Sequence, residues 1–310
     1  MERRNYWKDV FTIQGTITPY IQWRVLIFGL WATLVWWCTN HLFQIQIELG
    51  VAPYEIIGAV MALLLVLRTN SGYDRWYEGR KLWGGIVNQS RNLGVIAVSY
   101  GPENQKWRDA FLRWVSAYPY IAKHSLRGEK DFSDLKQILH RDEIKELTEA
   151  NYAPIIASAR IAKLLKQARE ELGMDGFAFM KAEEQRALLI DYLGACERIL
   201  KTPLARVISI KVRKFLFLFL GVLPIAIVDR SGAMTPLLTV LVAFPLLSLD
   251  QIGIELENPF SKTRLSHLPL DHIGEAIHKN LVALEQYDFD ADDSESGELL
   301  IHQAAQREAV

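Results

Sequence analysis

The sequence lacks most features that mark a secreted or nucleic-acid-binding protein. It has two cysteines, Cys38 and Cys196, among 310 residues, which is too few for a disulfide framework. Its 35 basic and 36 acidic residues leave a net charge of −1, so charge gives no argument for nucleic-acid binding. Residues 1–20 lack the apolar run of a cleaved signal peptide. We therefore expect the N-terminus to stay in the cytoplasm.

Catalytic and metal-binding patterns are also missing. The seven histidines show no pair at zinc-ligand spacing with a third ligand nearby. The sequence contains neither a glycine-rich phosphate loop nor a Gly-x-Ser-x-Gly motif. The acidic segment 288–298 lacks the glycine and glutamate positions of an EF-hand loop, and its composition predicts a flexible tail over residues 284–310. We predict a protein that is not an enzyme and that needs no cofactor or metal.

Long apolar runs are the main positive feature of the chain. A bilayer core needs about 20 residues of helix. Four windows approach that length, and the second is the weakest because Glu55 interrupts it. We predict an all-α membrane protein with helices at about residues 25–45, 52–70, 212–229 and 232–250.

Basic residues are unevenly distributed between these windows. Arg24 precedes the first and Arg68 follows the second, whereas residues 41–52 contain no Lys or Arg. Between the third and fourth windows the only basic residue is Arg230. Since an excess of Lys and Arg marks the cytoplasmic side, we expect four crossings of the inner (plasma) membrane with both termini in the cytoplasm.

The second predicted helix has an informative end. Residues 56–67 are apolar without a break and run directly into the charged, aromatic stretch 68–84. This pattern predicts one helix that leaves the bilayer and continues into the cytosol, because a soluble core helix has little reason to be apolar on every side. Apolar periodicity further predicts amphipathic helices within a cytosolic region of about residues 71–207 and 251–283; they are expected at 103–127, 153–173 and 180–201.

Three motifs together resemble the bestrophin family of ion channels, in its bacterial branch. They are the stretch 68–84 with its Tyr-Asp-Arg-Trp core, Thr202-Pro203-Leu204, and the stretch 252–260 followed by 268–271. Their order and separation match over about residues 5–283. The resemblance implies one bestrophin-like domain over residues 1–283, which forms a homopentamer in the lipid bilayer. It also implies a single axial pore that conducts inorganic ions.

The resemblance assigns positions to two constrictions of that pore. In relatives the neck is formed by three bulky apolar residues spaced by four on the second helix, the last directly before the arginine. Here these positions are Ala59, Leu63 and Leu67, and Ala59 is small, so the outermost ring is expected to be wide. The Thr-Pro motif places a lower constriction at Leu204 or Ala205 without separating the two.

The other motif residues carry an open choice between assembly and solvation. The charged residues of the stretch 68–84 either form a solvated face with pairs three and four residues apart, or lock neighbouring subunits, or line the cytosolic vestibule. Locking is favoured because aromatic residues surround the charges. Glu255, Glu257 and Asn258 are expected to tie the C-terminal segment to the long helix. The motif residues are Arg68, Asp74, Arg75, Trp76, Glu78, Arg80, Trp83, Glu257, Asn258, Pro259 and Phe260.

The segment after Phe260 departs from the animal members of the family. Animal bestrophins have a run of acidic residues there that completes a calcium site. Here residues 261–267 include Lys262 and Arg264 and no carboxylate. Calcium requires six to eight oxygen ligands, so we expect this mode of activation to be absent.

Glu55 bears on the sign of the permeant ion. It lies four residues before Ala59, on the same helical row as the predicted neck. In a fivefold assembly it becomes a ring of carboxylates, which favours cations. A glutamate at a helix N-terminus is also favoured by the helix dipole while facing a loop or headgroups. The sequence therefore leans weakly to cations, and an anion (chloride) channel of the same architecture is the alternative.

A secondary transporter is the main rival to a channel. Transporters often contain broken helices, and prolines interrupt the third and fourth windows at Pro224, Pro236 and Pro245. Four crossings, however, show no inverted repeat. A membrane scaffold without conductance is a third possibility.

Overall fold

The computed structural model of the protein describes residues 12, 15–43, 51–202 and 206–287, and all regular secondary structure within these residues is helical. This confirms the predicted all-α class. The helices are α1 (Thr18–Cys38), α2 (Val51–Ser99), α3 (Gln105–Arg127), α4 (Arg141–Glu149), α5 (Ala153–Glu170), α6 (Gly176–Lys201), α7 (Arg206–Ser231), α8 (Thr235–Leu256) and α9 (Leu270–Gln286). A π-helical turn, Thr39–Phe43, extends α1.

The chain forms two compact units. The first unit comprises Met1–Leu82 and Ala195–Leu268, and the second comprises Trp83–Gly194 and Pro269–Val310. The first therefore holds α1, the first part of α2, the end of α6, and α7 and α8. The second holds the rest of α2 and α6 together with α3, α4, α5 and α9.

Helix α2 is a single helix of 49 residues. At 1.5 Å per residue it is about 73 Å long, more than twice the ~30 Å of a bilayer core. Pro53 stands in its first turn, where a missing N–H costs no intrahelical hydrogen bond. The predicted continuation of one apolar helix into the charged stretch is therefore confirmed as a continuous helix.

In the first unit, α7 and α8 form an antiparallel hairpin. They are joined by the short turn Gly232–Met234, in which Gly232 adopts a φ of +48° that favours glycine. Near the start of α7, the Arg213 Nε lies 3.3 Å from an Asp250 oxygen near the end of α8, so the two helices run in opposite directions. Helix α1 packs against both. Their shared apolar core includes Ile21, Val25, Phe28, Leu216, Leu220, Ala243 and Leu247.

In the second unit, α3 packs against α5 and α9. The Asn104 side chain caps α3 by accepting a hydrogen bond from the Trp107 N–H at 3.1 Å, and Gly128 ends the helix with a φ of +68°. At the start of α9, Asp271 lies 2.8 Å from the buried Nζ of Lys123 on α3. This ion pair fixes one end of α9 on the unit.

The amphipathic helices predicted at 103–127, 153–173 and 180–201 correspond to α3, α5 and α6. Gly173 follows α5 with a φ of +77°, a left-handed conformation that favours glycine after the end of a helix. Pro119 lies inside α3. Helices α4 and α9 were not predicted as separate elements.

Candidate functional site

One face of α2 packs inside the first unit. Met61, Leu65, Arg68 and Gly72 are buried, and their spacing of four, three and four residues keeps them on one stripe. A Cβ added to Gly72 would lie 3.2 Å from the Leu256 Cβ, so α2 and α8 approach closely at this point. This stripe determines which side of α2 faces away from the unit.

The predicted neck residues lie on the opposite face. Leu63 is two residues from both Met61 and Leu65, a rotation of about 200°, and 59% of it is exposed. Leu67 is 54% exposed, and Glu55 and Ala59 are also exposed. The structure thus places all four predicted residues on one unpacked surface of α2, which we call the α2 row: Glu55, Ala59, Leu63 and Leu67.

A buried charge cluster follows the row directly. The Arg68 guanidinium donates a hydrogen bond to Asp250 of α8 and lies 3.5 Å from Glu257. Arg213 of α7 contacts the second Asp250 oxygen at 3.3 Å. Because Arg68 is adjacent to Leu67, pairing Arg68 inward helps to fix the rotation of α2 that leaves Leu67 exposed.

The next turns of α2 bind the segment after α8. The Arg75 guanidinium donates to the carbonyls of Thr202 and Ile199 at the end of α6, and also to Glu257 O at 3.4 Å. The Trp76 Nε1 donates to Ser266 O at 2.6 Å. These contacts tie the C-terminal segment to the long helix within one chain, which is one of the roles predicted for the motif residues.

Pro259 and Phe260 pack against the same helix. A Cβ added to Gly79 would lie 2.8 Å from the Pro259 side chain and 3.2 Å from the Phe260 ring, so only glycine permits this approach without a shift. The Asn258 side chain accepts a hydrogen bond from the Phe260 N–H at 3.1 Å and shapes the turn. The Asn-Pro-Phe motif is therefore explained by packing.

The remaining charged motif residues are solvated, whereas Trp83 is buried. Glu78 lies 2.8 Å from Arg198, with both side chains largely exposed, and Asp74 is exposed. The Arg80 guanidinium lies 5.9 Å from the centre of the Trp76 ring. Trp83 is only 1% exposed.

Sequence analysis missed the main partner of Arg68. In the sequence, Asp250 is only the last residue of the fourth predicted helix, whereas in the structure it is 2% exposed and contacts two arginines. The signal available in the sequence for its role was the position of a carboxylate at the end of an apolar run. The predicted lower constriction, Leu204 or Ala205, lies outside the described residues.

Within the described residues, three stretches are long and apolar enough to cross a membrane: Thr18–Leu42, Tyr54–Ser99 and Val207–Leu256. The last contains both α7 and α8.

A family model described as "Bacterial/Fungal Bestrophin protein" matches residues 1–283. The chain belongs to the bacterial and fungal bestrophin family.

Named relatives agree with this membership. Over 285 residues, this bestrophin is 33% identical to the voltage-dependent anion channel-forming protein alr2987 of Nostoc sp., covering 90% of this chain and 91% of that protein. Over 290 residues it is 32% identical to the voltage-dependent anion channel-forming protein sll1024 of Synechocystis sp., covering 90% of this chain and 92% of that protein. The crystal structure of a bacterial bestrophin homologue from Klebsiella pneumoniae matches with a TM-score of 0.81 at 25% identity, over 86% of this chain and 99% of that one. This bestrophin is accordingly a membrane protein of an ion-channel family.

Proposed function

We propose that five copies of this bestrophin surround an axial pore for small monovalent ions, with the α2 row of each copy facing the axis. The observation that carries the proposal is the exposure of Leu63 and Leu67 on a helix whose opposite face is packed in its own unit. In a ring of five, Leu63 and Leu67 become two apolar rings and Ala59 a wider one. Apolar rings of this kind gate channels by losing water.

The proposed topology has four crossings with both termini in the cytoplasm of the inner membrane. Helices α7 and α8 contain 26 and 22 residues, or about 39 and 33 Å, and each is long enough for one crossing. Their antiparallel pairing at Arg213 and Asp250 supports two crossings for the 50-residue stretch Val207–Leu256. The positive-inside rule supports the orientation.

Thiol labelling tests the pore directly. Leu63→Cys in a Cys38→Ser background should give currents that a charged thiol reagent blocks, since the new thiol would face the permeation path. Cys196 can remain because it is buried, and burial raises the pKa of its thiol to about 12, so little reactive thiolate forms.

Leu26→Cys on α1 is the matched control for this experiment. Leu26 is 48% exposed but lies on a different helix, so labelling it should leave the current unchanged. Equal block at both positions would overturn the placement of the α2 row.

Native mass spectrometry of the detergent-solubilised protein counts the copies of the chain in each particle, and a particle of one chain would overturn the proposed assembly. Unitary current steps distinguish a channel from a secondary transporter.

For the sign of the ion, Glu55 supports cation preference. Its side chain is exposed one turn before Ala59, where five copies would form a carboxylate ring at the outer mouth. In asymmetric salt, the reversal potential should lie toward the cation equilibrium value. Glu55→Gln should move it toward zero, because the ring loses its charge while the side-chain volume is kept.

Anion conduction is the second candidate. It is supported by the names of the Nostoc and Synechocystis relatives, both called voltage-dependent anion channel-forming proteins. A reversal potential near the chloride equilibrium value, unaffected by Glu55→Gln, would establish this candidate and reject the carboxylate-ring argument. The same recording thus separates the two.

A further inference from the structure

A second site lies away from the α2 row, between α1, α7 and α8. A cavity of about 270 Å³ opens there to the outside of the first unit. Its polar end is formed by Arg24, Arg213 and Asp250. Its other walls are apolar: Ile27, Phe28, Leu216, Phe217 and Leu247. The cavity is therefore amphipathic, with cationic side chains at one end and hydrocarbon along the rest.

The charges of this cavity do not cancel. Both oxygens of Asp250 are engaged, one by the buried Arg68 and the other by Arg213 at 3.3 Å. Glu257 provides a second negative charge, 3.5 Å from Arg68. Counting Arg24 with Arg68 and Arg213, three positive charges face two negative ones. The net charge of +1 favours an anionic occupant.

An adjoining groove continues the apolar surface. It has a volume of about 410 Å³, shares Arg213 and Phe217 with the first cavity, and is also lined by Ile210, Lys214 and Leu218. The Arg213 side chain is about half exposed and so is accessible from both sides. Two apolar grooves that meet at one arginine match a ligand with one anionic head and two hydrocarbon chains.

We infer that this cavity binds an anionic phospholipid, with the headgroup phosphate held by Arg24 and Arg213 and an acyl chain on either side of Phe217. Basic pockets between membrane helices on the cytoplasmic side bind such headgroups. Free phosphate would leave the apolar walls exposed, and a neighbouring chain would need a carboxylate opposite the arginines. The inference rests on the proposed orientation of the helices in the membrane and does not require conduction.

Native mass spectrometry of the intact, detergent-solubilised protein tests the site, with phosphatidylglycerol as the probe. The wild-type protein should retain phosphatidylglycerol in preference to phosphatidylethanolamine. Because each arginine near a lipid surface contributes ~1 kcal/mol, Arg24→Gln should weaken retention about fivefold, and the Arg24→Gln, Arg213→Gln double variant about 25-fold. Arg24→Lys should retain most of the binding, since it keeps the charge.

Lys211→Gln is the matched control. Lys211 is an exposed cation on α7, two residues from Arg213, but it does not line the cavity, so its loss should change retention less than twofold. Equal losses in Lys211→Gln and Arg24→Gln would reduce the site to general surface charge and overturn the inference. Displacement of the lipid by an equal concentration of inorganic phosphate, or absence of retained lipid in the wild-type protein, would also overturn it. These readouts are independent of current, so a failure of the pore proposal is recognised separately.

Discussion

Arg68 and Asp250 form a buried ion pair between α2 and α8, at the point where both helices pass from apolar to charged sequence. Both side chains are less than 5% exposed, and they are 182 residues apart in the chain. Two buried charges offset their desolvation only when they stay paired. The pair therefore holds α2 and α8 together immediately below the proposed neck.

Breaking this pair should destabilise the first unit strongly. Asp250→Asn leaves the buried Arg68 guanidinium with only the partly exposed Glu257, at 3.5 Å, as a counter-charge. Removal of one partner of a buried pair typically costs about 3–5 kcal/mol. We expect a lower midpoint of thermal unfolding in detergent, followed by tryptophan fluorescence. Arg213→Gln should cost less than about 1 kcal/mol, because Arg213 is half exposed and its pair with Asp250 is solvated.

Replacing both partners distinguishes pairing from packing. In an Arg68→Met, Asp250→Leu variant no uncompensated charge is buried, and such replacements are often neutral. The double variant should recover most of the stability that Asp250→Asn loses. If it is as unstable as the single variant, the pair contributes through shape and not through charge.

Truncation of the α2 row should alter conduction. Leu63→Ala together with Leu67→Ala widens two apolar rings and makes them easier to wet, so conductance or open probability should rise. Single-channel recording measures both. Leu26→Ala is the control, since it removes an exposed leucine from α1. An unchanged current in the double variant would count against the neck.

The helices of this protein are largely predictable because their signals are local. The unbroken apolar run 56–67 and the charged stretch after it predicted one continuous helix, and α2 is continuous from Val51 to Ser99. The apolar spacing within α3, α5 and α6 was also sufficient to predict these three helices. Helix α9 was missed, although Leu270, Gly274, Ile277 and Leu281 repeat at helical spacing and form its buried face.

The partners of the motif residues were less predictable. Arg75 donates to main-chain carbonyls of Ile199 and Thr202, which have no sequence signature. Asp250 is visible as a carboxylate, but its choice of Arg68 depends on the hairpin geometry of α7 and α8. Long-range pairing is decided by tertiary packing, so sequence identified these residues as important without identifying their contacts.

Calcium chelation should leave currents unchanged. Near the segment that carries the calcium site in animal relatives, the buried Glu255 accepts hydrogen bonds from the Gln251 amide and the Leu265 N–H, each at 2.9 Å. The Arg264 guanidinium lies 3.7 Å from the same carboxylate. Protein donors and a cation therefore already engage both oxygens of this carboxylate. Recordings with a calcium chelator and with added calcium should agree, and a large loss on chelation would require a calcium site elsewhere.

The end of α9 should loosen as pH rises through neutrality. Burial and a hydrogen bond with Asp109 raise the pKa of Glu285 to about 7, and the Gln105 amide bridges the two carboxyl groups. An unfolded glutamate titrates near ~4.3, so the native state holds an extra proton between these values and loses the associated stability as pH increases. Burial lowers the pKa of His278, so this group adds stability as the pH rises through the acid range, which opposes the effect of Glu285. Amide hydrogen exchange in the last turn of α9, corrected for intrinsic rates, should therefore be faster at pH 8 than at pH 6.

Glu285→Gln separates this effect from general pH dependence. The amide keeps the hydrogen-bonding shape without a titrating proton, so the difference in exchange between pH 6 and pH 8 should largely disappear. Glu275→Gln is the matched control on the same helix, because Glu275 is solvent-exposed and pairs with Lys279 at 2.6 Å. That variant should keep the wild-type pH dependence.

Since Arg108 also lies near the carboxyl pair and lowers the pKa of Glu285, Arg108→Gln should shift the transition to higher pH. A pH profile that Glu285→Gln leaves intact would place the titrating group elsewhere in the second unit.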